Sequence, residues 1–250
     1  MCFLKPRVAK RFNDDFGVKA FVIPDRRAAE QQLARALARG HEMILQEFIE
    51  GTEEGHLCLD GFVDRTGRLC ALVARRPLRT YPLTFGNTTD TVTVPLKQAG
   101  DSVDHLRRLF EHVGFRGLFE AEFVVDSRTS EHKIIEVNAR PWWQIELAAA
   151  AGIDMLHMAY LDSLGLDVTP ATRYIVGRRW VHTIPDLRSR LTYRTSARVP
   201  VERSQAWWRA THAVLDRADP VPGLLQMRRT AGVGLRRLTR HNAWGRRRAP

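Results

Sequence analysis

Apolar and polar positions in the first 165 residues follow two periods, and the switches between them mark a series of short strands and helices. Gly17–Ile23 and Met43–Ile49 read as strands, and Phe3-Leu4 as the end of another. Between them Asp25 is placed to cap a helix through Arg39, with Ala28, Ala29, Leu33, Ala36 and Leu37 on its apolar face and Gly40 as its stop. His56–Val63 alternates and pairs with Leu69–Ala74 across Asp64-Arg65-Thr66-Gly67, a hairpin signal. A loop with Pro82, Gly86 and Asn87 leads to a strand at Thr91–Val94. A second helix runs from an Asp101 cap to Val113, ended by Gly114. Phe115–Val125 and Lys133–Asn138 form another strand pair across a turn at Asp126–His132, and helices follow at 144–150 and 154–164.

Beyond Asp167 the pattern loosens. Tyr174–Thr183 reads as a strand, and Glu202–Leu215 as an amphipathic helix carrying Trp207-Trp208. Asp219-Pro220-Val221-Pro222-Gly223 is a break, and a basic helix with a frayed end follows. No internal repeat or low-complexity segment interrupts the chain. Strands and helices in this mixed order predict an α+β fold with antiparallel sheets.

Composition narrows the class. The chain has 250 residues with 44% hydrophobic content, enough for a packed core. No apolar stretch reaches the roughly 18 residues of a membrane span. Cys2, Cys58 and Cys70 lack metal-site spacing, and the last two lie in apolar runs, so reduced buried thiols and a cytoplasmic location are expected. The net charge of +11 is uneven: residues 1–150 hold 21 Lys+Arg and 21 Asp+Glu, whereas residues 151–250 hold 18 and 7. A basic tail can attract nucleic acid or anionic lipid. Its arginines are mostly spaced as on solvated helix faces, and only Arg246-Arg247-Arg248 forms a run, which disfavours specific nucleic-acid binding.

The richest chemistry lies at Glu136-Val137-Asn138-Ala139-Arg140. In a strand, Glu136, Asn138 and Arg140 share one face. They offer a carboxylate, an amide oxygen and a cationic fork, a set suited to Mg²⁺ on a polyphosphate. Glu122, on the adjacent hairpin strand, can face the same space, and a divalent cation would resolve the repulsion between the carboxylates. Glu120 shares the parity of Glu122, so spacing does not separate them. Lys5, before Pro6, and Lys19, in a predicted apolar strand, are two of only five lysines. Gln46-Glu47-Phe48-Ile49-Glu50-Gly51 ends a strand and starts a linker whose backbone can read an adenine edge, and Glu53 and Glu54 follow at ribose reach. Arg75, Arg76 and Arg79 crowd a strand end, as a basic loop or around an anion. The nine histidines show no zinc spacing, and no nucleophile elbow is present.

Together these segments resemble the ATP-grasp superfamily, most closely its carboxylate–amine ligase branch that includes D-aspartate ligase-like proteins. The residues that carry the resemblance are Leu4-Lys5-Pro6, Val18–Ile23, Leu45–Gly51, Phe115–Phe123 and Ile135–Arg140, in that order, within residues 3–165. The resemblance implies two α+β lobes sandwiching ATP: a small lobe at 1–50, a large lobe with the metal site at 51–166, and a mainly helical basic extension at 167–250. It implies that Lys5 and Lys19 contact ATP, that Glu47, Phe48 and Ile49 hold adenine through backbone groups, and that Glu53 or Glu54 takes the ribose. Glu122, Glu136 and Asn138 would bind Mg²⁺ (or Mn²⁺). Arg140, with Arg76 or Arg79, would steady the transferred phosphoryl group. The activity implied is ATP-dependent joining of a carboxylate to an amine or thiol through an acyl phosphate, with small-molecule substrates.

Two departures shape the expectation. The Pro6–Val18 loop has only Gly17 where relatives have a Gly-rich flap, and supplies Arg7, Lys10 and Arg11 instead. A domain that helps bind the acceptor normally precedes the Lys5 strand. The expectation is therefore a fragment, a mis-started frame, or a subunit completed by a separate N-terminal domain or a homo-oligomer partner. The alternatives are a degenerate nucleotide-binding module without turnover and a basic binder of nucleic acid or membrane surface.

Overall fold

The computed structural model describes residues 2–51, 55–82, 86–171, 173–192, 204–216 and 218–230. Its elements form two sheets. The small sheet has the order β2-β1-β3, all antiparallel, from β1 (Cys2–Pro6), β2 (Phe21–Ile23) and β3 (Met43–Glu47). Two helices, α1 (Ala9–Phe16) and α2 (Arg26–Leu37), pack on it. Asp25 caps α2 as the sequence indicates, accepting from the Ala28 N–H at 2.8 Å. Helix α1 has no counterpart in the sequence reading, which left a phosphate-covering loop there. Phe12 is its single buried residue, and at eight residues the helix is too short for its amphipathic period to stand out. Phe12 packs edge-on against Phe21 at 4.9 Å and His41 at 5.3 Å, joining helix and sheet. Because α1 and its exit turn occupy 9–20, β2 is shorter than expected and Lys19 lies in the bend before it.

The large sheet has seven strands in the order β10-β9-β6-β5-β4-β7-β8: β4 (His56–Val63), β5 (Leu69–Tyr81), β6 (Asn87–Thr93), β7 (Gly117–Val125), β8 (His132–Asn138), β9 (Arg179–Val181) and β10 (Thr211–His212). All pairings are antiparallel except β9 with β10. On one face Leu57, Leu59, Leu72, Ala74, Phe119, Ala121 and Phe123 form a core with Leu106 and Phe110 of α3 (Ser102–Val113). Gly114 ends α3 in the left-handed conformation at φ 64°, as a residue without Cβ can. On the other face Phe62, Cys70, Ala71 and Val73 pack against Trp142, Ala148, Ile153 and Met155, from α4 (Glu146–Ala150), α5 (Met155–Ser163) and their flanks. This second apolar cluster covers only part of its face. The remainder of that face is polar and lies toward the small sheet.

Two expected elements are replaced. Only Arg179–Val181 of the stretch 174–183 is a strand, because a helix, α6, starts at Thr183 and runs to Thr192. Pro185 sits in its first turn, where the missing N–H has no partner to lose. The Trp207-Trp208 region is a short 3-10 turn (Trp207–Arg209) followed by β10, not an amphipathic helix. Residues 221–230 are helical, so the helix starts inside the expected break. Among the described residues no helix is long and apolar enough to cross a membrane.

Candidate nucleotide and cation site

Strand register builds the polar face. Arg75 pairs with Cys58, Cys58 with Glu122, and Glu122 with Glu136, so one row crosses β5, β4, β7 and β8. The next row holds Asp60, Glu120 and Asn138. A bulge in β8 at the level of Glu122 and Phe123 inserts Ile135, which lets Ile134 and Val137 both pack on the apolar core while Glu136 and Asn138 keep the polar side.

The two glutamates that spacing leaves equivalent have different surroundings. Glu120 is buried, at 6% exposure, and both its oxygens accept. Arg75 Nη2 donates to Oε1, and Asn138 Nδ2 donates to Oε2 at 3.1 Å. Arg75 is itself buried at 1% exposure, and its Nε donates to Asp60 Oδ2 at 2.8 Å. Glu122 has no side-chain hydrogen bond among the described residues. Its carboxyl is held above the usual range by burial and then by the charge on Glu120, against the pull of Arg75, with Glu136 pushing the same way. Burial likewise drives the Asp60 carboxyl upward, since it shares the single Arg75 with Glu120.

The small sheet reaches this face through two lysines. Lys5 Nζ lies 3.4 Å from Glu136 Oε2, and both side chains are partly exposed. Lys19 Nζ donates to Asn87 Oδ1 at 2.8 Å, next to the large sheet. Burial lowers the Lys19 ammonium pKa, and the nearby Glu122 charge partly restores it. Arg140 Nη2 donates to Asn138 Oδ1 at 3.1 Å. Lys5, Lys19, Glu122, Glu136, Asn138 and Arg140 are thus brought to one region from four separate segments.

The hinge residues Glu47, Phe48 and Ile49 lie at the end of β3, which is an edge strand with β1 on one side. Phe48 is exposed and Ile49 half-buried. The β7–β8 turn fastens this segment: Arg128 Nη2 meets Glu47 Oε1 at 3.0 Å, and Ser127 N–H donates to the Glu50 carbonyl at 2.7 Å. A Cβ on Gly51 would run into the Val124 side chain and sit 3.0 Å from the Val125 carbonyl, so only glycine lets the chain pass this closely over β7. Glu53 and Glu54 lie outside the described residues, as does the Arg246–Arg248 run.

The arginine cluster read at 75–79 is divided. Arg75 is the buried partner of Asp60 and Glu120, so its anions are internal. Arg79 belongs to a second cluster: its Nε donates to Asp186 Oδ1 at 2.6 Å, and Asp90 lies 3.9 Å away. Arg76 is half-buried at the β5–β6 pairing. Trp142 is core, while Trp143 is exposed and stacks edge-on to His182 at 4.8 Å. Sequence reading missed Asp60. The available signal was an aspartate inside an otherwise apolar strand, which requires a buried cation opposite it.

The donor set suits a hard divalent cation. Glu122, Glu136 and Asn138 offer oxygen atoms only, and the mutual repulsion that raises Glu122 is what a bound cation would relieve. Among the described residues no three His, Cys, Asp or Glu side chains form a closed metal cage. An incomplete set is what Mg²⁺ uses when phosphate oxygens and water fill the remaining positions. A cavity of about 320 Å³ lies on the opposite face, between α3 and the β4–β5 hairpin, away from these groups.

No protein-family profile matches the chain, and no curated protein matches it by sequence. Solved structures match in shape. N5-carboxyaminoimidazole ribonucleotide synthetase, as an ADP complex, aligns with a TM-score of 0.54 at 13% identity, over 71% of this chain and 44% of that one. The biotin carboxylase domain of the 2-oxoglutarate carboxylase of Hydrogenobacter thermophilus, with MgADP, ADP and bicarbonate, aligns at 0.53 and 13%, over 71% and 40%. Biotin carboxylase of Campylobacter jejuni, in a beta-gamma-ATP complex, aligns at 0.52 and 14%, over 71% and 40%. The chain spans less than half the length of each of these proteins. A likeness at such low identity establishes architecture, and the architecture of this chain is the ATP-grasp fold.

Proposed function

We propose that this chain binds Mg·ATP between its small sheet and the polar face of its large sheet, and transfers the γ-phosphoryl group to a carboxylate for capture by an amine or thiol. The observation that carries this reading is a juxtaposition across the two sheets: Lys5 of β1 lies 3.4 Å from Glu136 of β8, beside Glu122, Asn138 and Arg140. Cations suited to phosphate and oxygen ligands suited to a divalent ion meet where the two sheets face each other. The ADP, MgADP and beta-gamma-ATP complexes of proteins sharing the fold support the choice of nucleotide.

In this reading Lys5 and Lys19 contact the phosphates and the adenine side of ATP, Lys5 as a point charge on phosphate. The edge of β3 at Glu47, Phe48 and Ile49 offers backbone groups to adenine, and Glu53 or Glu54 the ribose contact. Glu122, Glu136 and Asn138 hold Mg²⁺ or Mn²⁺, which supplies charge neutralisation on the phosphates. Arg140 steadies the transferred group, with Arg76 as the second candidate; Arg79 is committed to Asp186. A carboxylate oxygen of the substrate attacks the γ-phosphorus, the bond to the bridging oxygen breaks, and ADP leaves. The amine then attacks the acyl phosphate carbonyl, phosphate leaves, and the nitrogen gives up a proton. Such a reaction needs positioning and charge stabilisation, and no side-chain nucleophile.

The test is a thermal-unfolding and calorimetric titration with ATP, with Mg²⁺ and with EDTA. Mg·ATP at a hundredfold over its Kd is expected to stabilise the fold by about 2.7 kcal/mol. Glu136→Ala is expected to remove that stabilisation. ATP binding that is absent, or indifferent to Mg²⁺, in a folded sample would sink the proposal. ADP release dependent on both a carboxylate and an amine separates a ligase from a module that only binds nucleotide.

A further inference from the structure

We infer that Glu120 is a positioning residue: clamped by buried Arg75, it holds the side-chain amide of Asn138 so that the amide oxygen, not the nitrogen, is presented to the cation. This rests on the proposed function in taking Asn138 as a cation ligand.

A free asparagine amide can turn over, exchanging a donor end for an acceptor end of nearly the same shape. Here its neighbours allow one orientation. Glu120 and Asn138 are direct register partners on β7 and β8, which brings their side chains together. A carboxylate can only accept, so Glu120 Oε2 must receive the Asn138 Nδ2 donor, at 3.1 Å. A guanidinium can only donate, so Arg140 Nη2 must meet Asn138 Oδ1, also at 3.1 Å. Reversing the amide would set nitrogen against Arg140 and oxygen against the carboxylate.

Glu120 in turn cannot swing away. Its other oxygen accepts from Arg75 Nη2, and Arg75 is tied through Nε to Asp60 at 2.8 Å. Asp60 and Arg75 are each 1% exposed and Glu120 is 6% exposed, so water does not compete for these bonds. The result is a continuous chain, Asp60–Arg75–Glu120–Asn138–Arg140, running from the interior to the surface. Glu122, one register row away, is outside this chain and stays available as a ligand.

The full chain and three variants test this by titrating Mn²⁺ with ATP and following free Mn²⁺ by electron paramagnetic resonance. The apo melting temperature of each variant checks folding. In Glu120→Gln the single amide oxygen is drawn to Arg75, which can only donate. Its NH₂ then faces Asn138, which must turn its oxygen inward and its nitrogen to the cation. Mn·ATP affinity is expected to fall about tenfold or more, as for other partners that orient metal ligands. Asn138→Asp alone sets two carboxylates against each other and is also expected to weaken binding. In Glu120→Gln with Asn138→Asp, one Asp oxygen accepts from Gln and the other faces the cation, so affinity is expected to return to within about threefold of the parent, a coupling that a double-mutant cycle isolates. A purely structural role for Glu120 would be worsened, not cured, by the second substitution. Parent-like affinity in Glu120→Gln, or a double variant no better than Glu120→Gln, overturns the inference and leaves the proposed function standing. A parent chain that binds no Mn·ATP overturns the proposed function and this inference with it.

Discussion

Arg75 and Arg79 lie four residues apart on one strand, yet they are embedded in opposite electrostatic surroundings. Arg75 is shared by Asp60 and Glu120, with Glu122 and Glu136 in the adjacent row. On these strands four carboxylates surround the one buried arginine, the other cations, Lys5, Lys19 and Arg140, coming from outside the strands, and Glu122 is left with a raised pKa. Arg79 meets Asp186 and Asp90, which are also engaged by Arg179 and Arg190. Trp207 Nε1 adds a donor to Asp186 Oδ2 at 2.9 Å. The second cluster sets three arginines on two aspartates, leaves Arg79 Nη1 without a hydrogen-bond partner among the described residues, and ties β5, β6, β9 and α6 together. In the first, Glu122 is left without a hydrogen-bonding partner among the described residues, at the face that meets Lys5 and Lys19. A cluster whose carboxylates are all committed to arginines is a lock, whereas one with an uncommitted carboxylate is a receptor for a cation. Sequence spacing grouped the two arginines, and only their buried partners separate them.

The comparison can be broken most forcefully at its locked side. Asp186→Ala leaves Arg79 and Arg190 with only their longer contacts to Asp90, and a loss of about 3–5 kcal/mol in urea-unfolding stability is expected. Arginine does not deprotonate, so this loss should be nearly the same at about pH 6.5 and pH 8.5. A loss that varies strongly with pH would show that the cluster can neutralise itself.

The other side should respond differently. Arg75→Met strands Asp60 and Glu120, but carboxylates escape an unfavourable burial by taking up protons. The Asp60 carboxyl, already raised by burial, is pushed further up, so the stability linked to it is present at low pH and is lost as pH rises through the raised value. The variant is expected to be clearly less destabilised at about pH 6.5 than at pH 8.5. Equal losses at both pH values would remove the distinction between the clusters.

The smallest effect has the opposite sign. Glu122 already has a raised pKa in the folded protein, caused first by burial and then by Glu120. Its ionised form therefore opposes folding, fully so above the raised pKa and not at all below the ordinary value. Glu122→Gln is expected to raise metal-free stability slightly at neutral pH and to leave it unchanged in acid. It should also abolish stabilisation by Mg·ATP. A variant less stable than the parent at neutral pH without divalent ion would mean that Glu122 serves the fold rather than a cation.

Much of the fold was legible because it is written in local periods. The His56–Val63 strand and its partner, the Asp25 cap, the Gly114 stop and the β7–β8 hairpin follow from alternation, capping and glycine conformation. What stayed hidden has short or weak periods: α1 buries one phenylalanine, β9 has three residues, and α6 carries a proline in its first turn. Within the candidate site, the shared face of Glu136 and Asn138 was readable for the same reason, since a strand puts every second side chain on one side; Arg140 lies in a bend past the end of β8 and returns to Asn138 through its side chain.

Which glutamate is committed and which is free was not readable. Glu120 and Glu122 have the same parity on one strand, and the decision comes from Arg75 and Asn138, 45 and 18 residues away. Arg79 is divided from Arg75 by Asp186, 107 residues along the chain. By itself the amino-acid sequence determined the elements and the face on which the polar groups stand, because those depend on neighbours in the chain. Tertiary structure alone decided which charges neutralise one another and which are left for a ligand, because electrostatic pairing depends on distance in space and on exclusion of water.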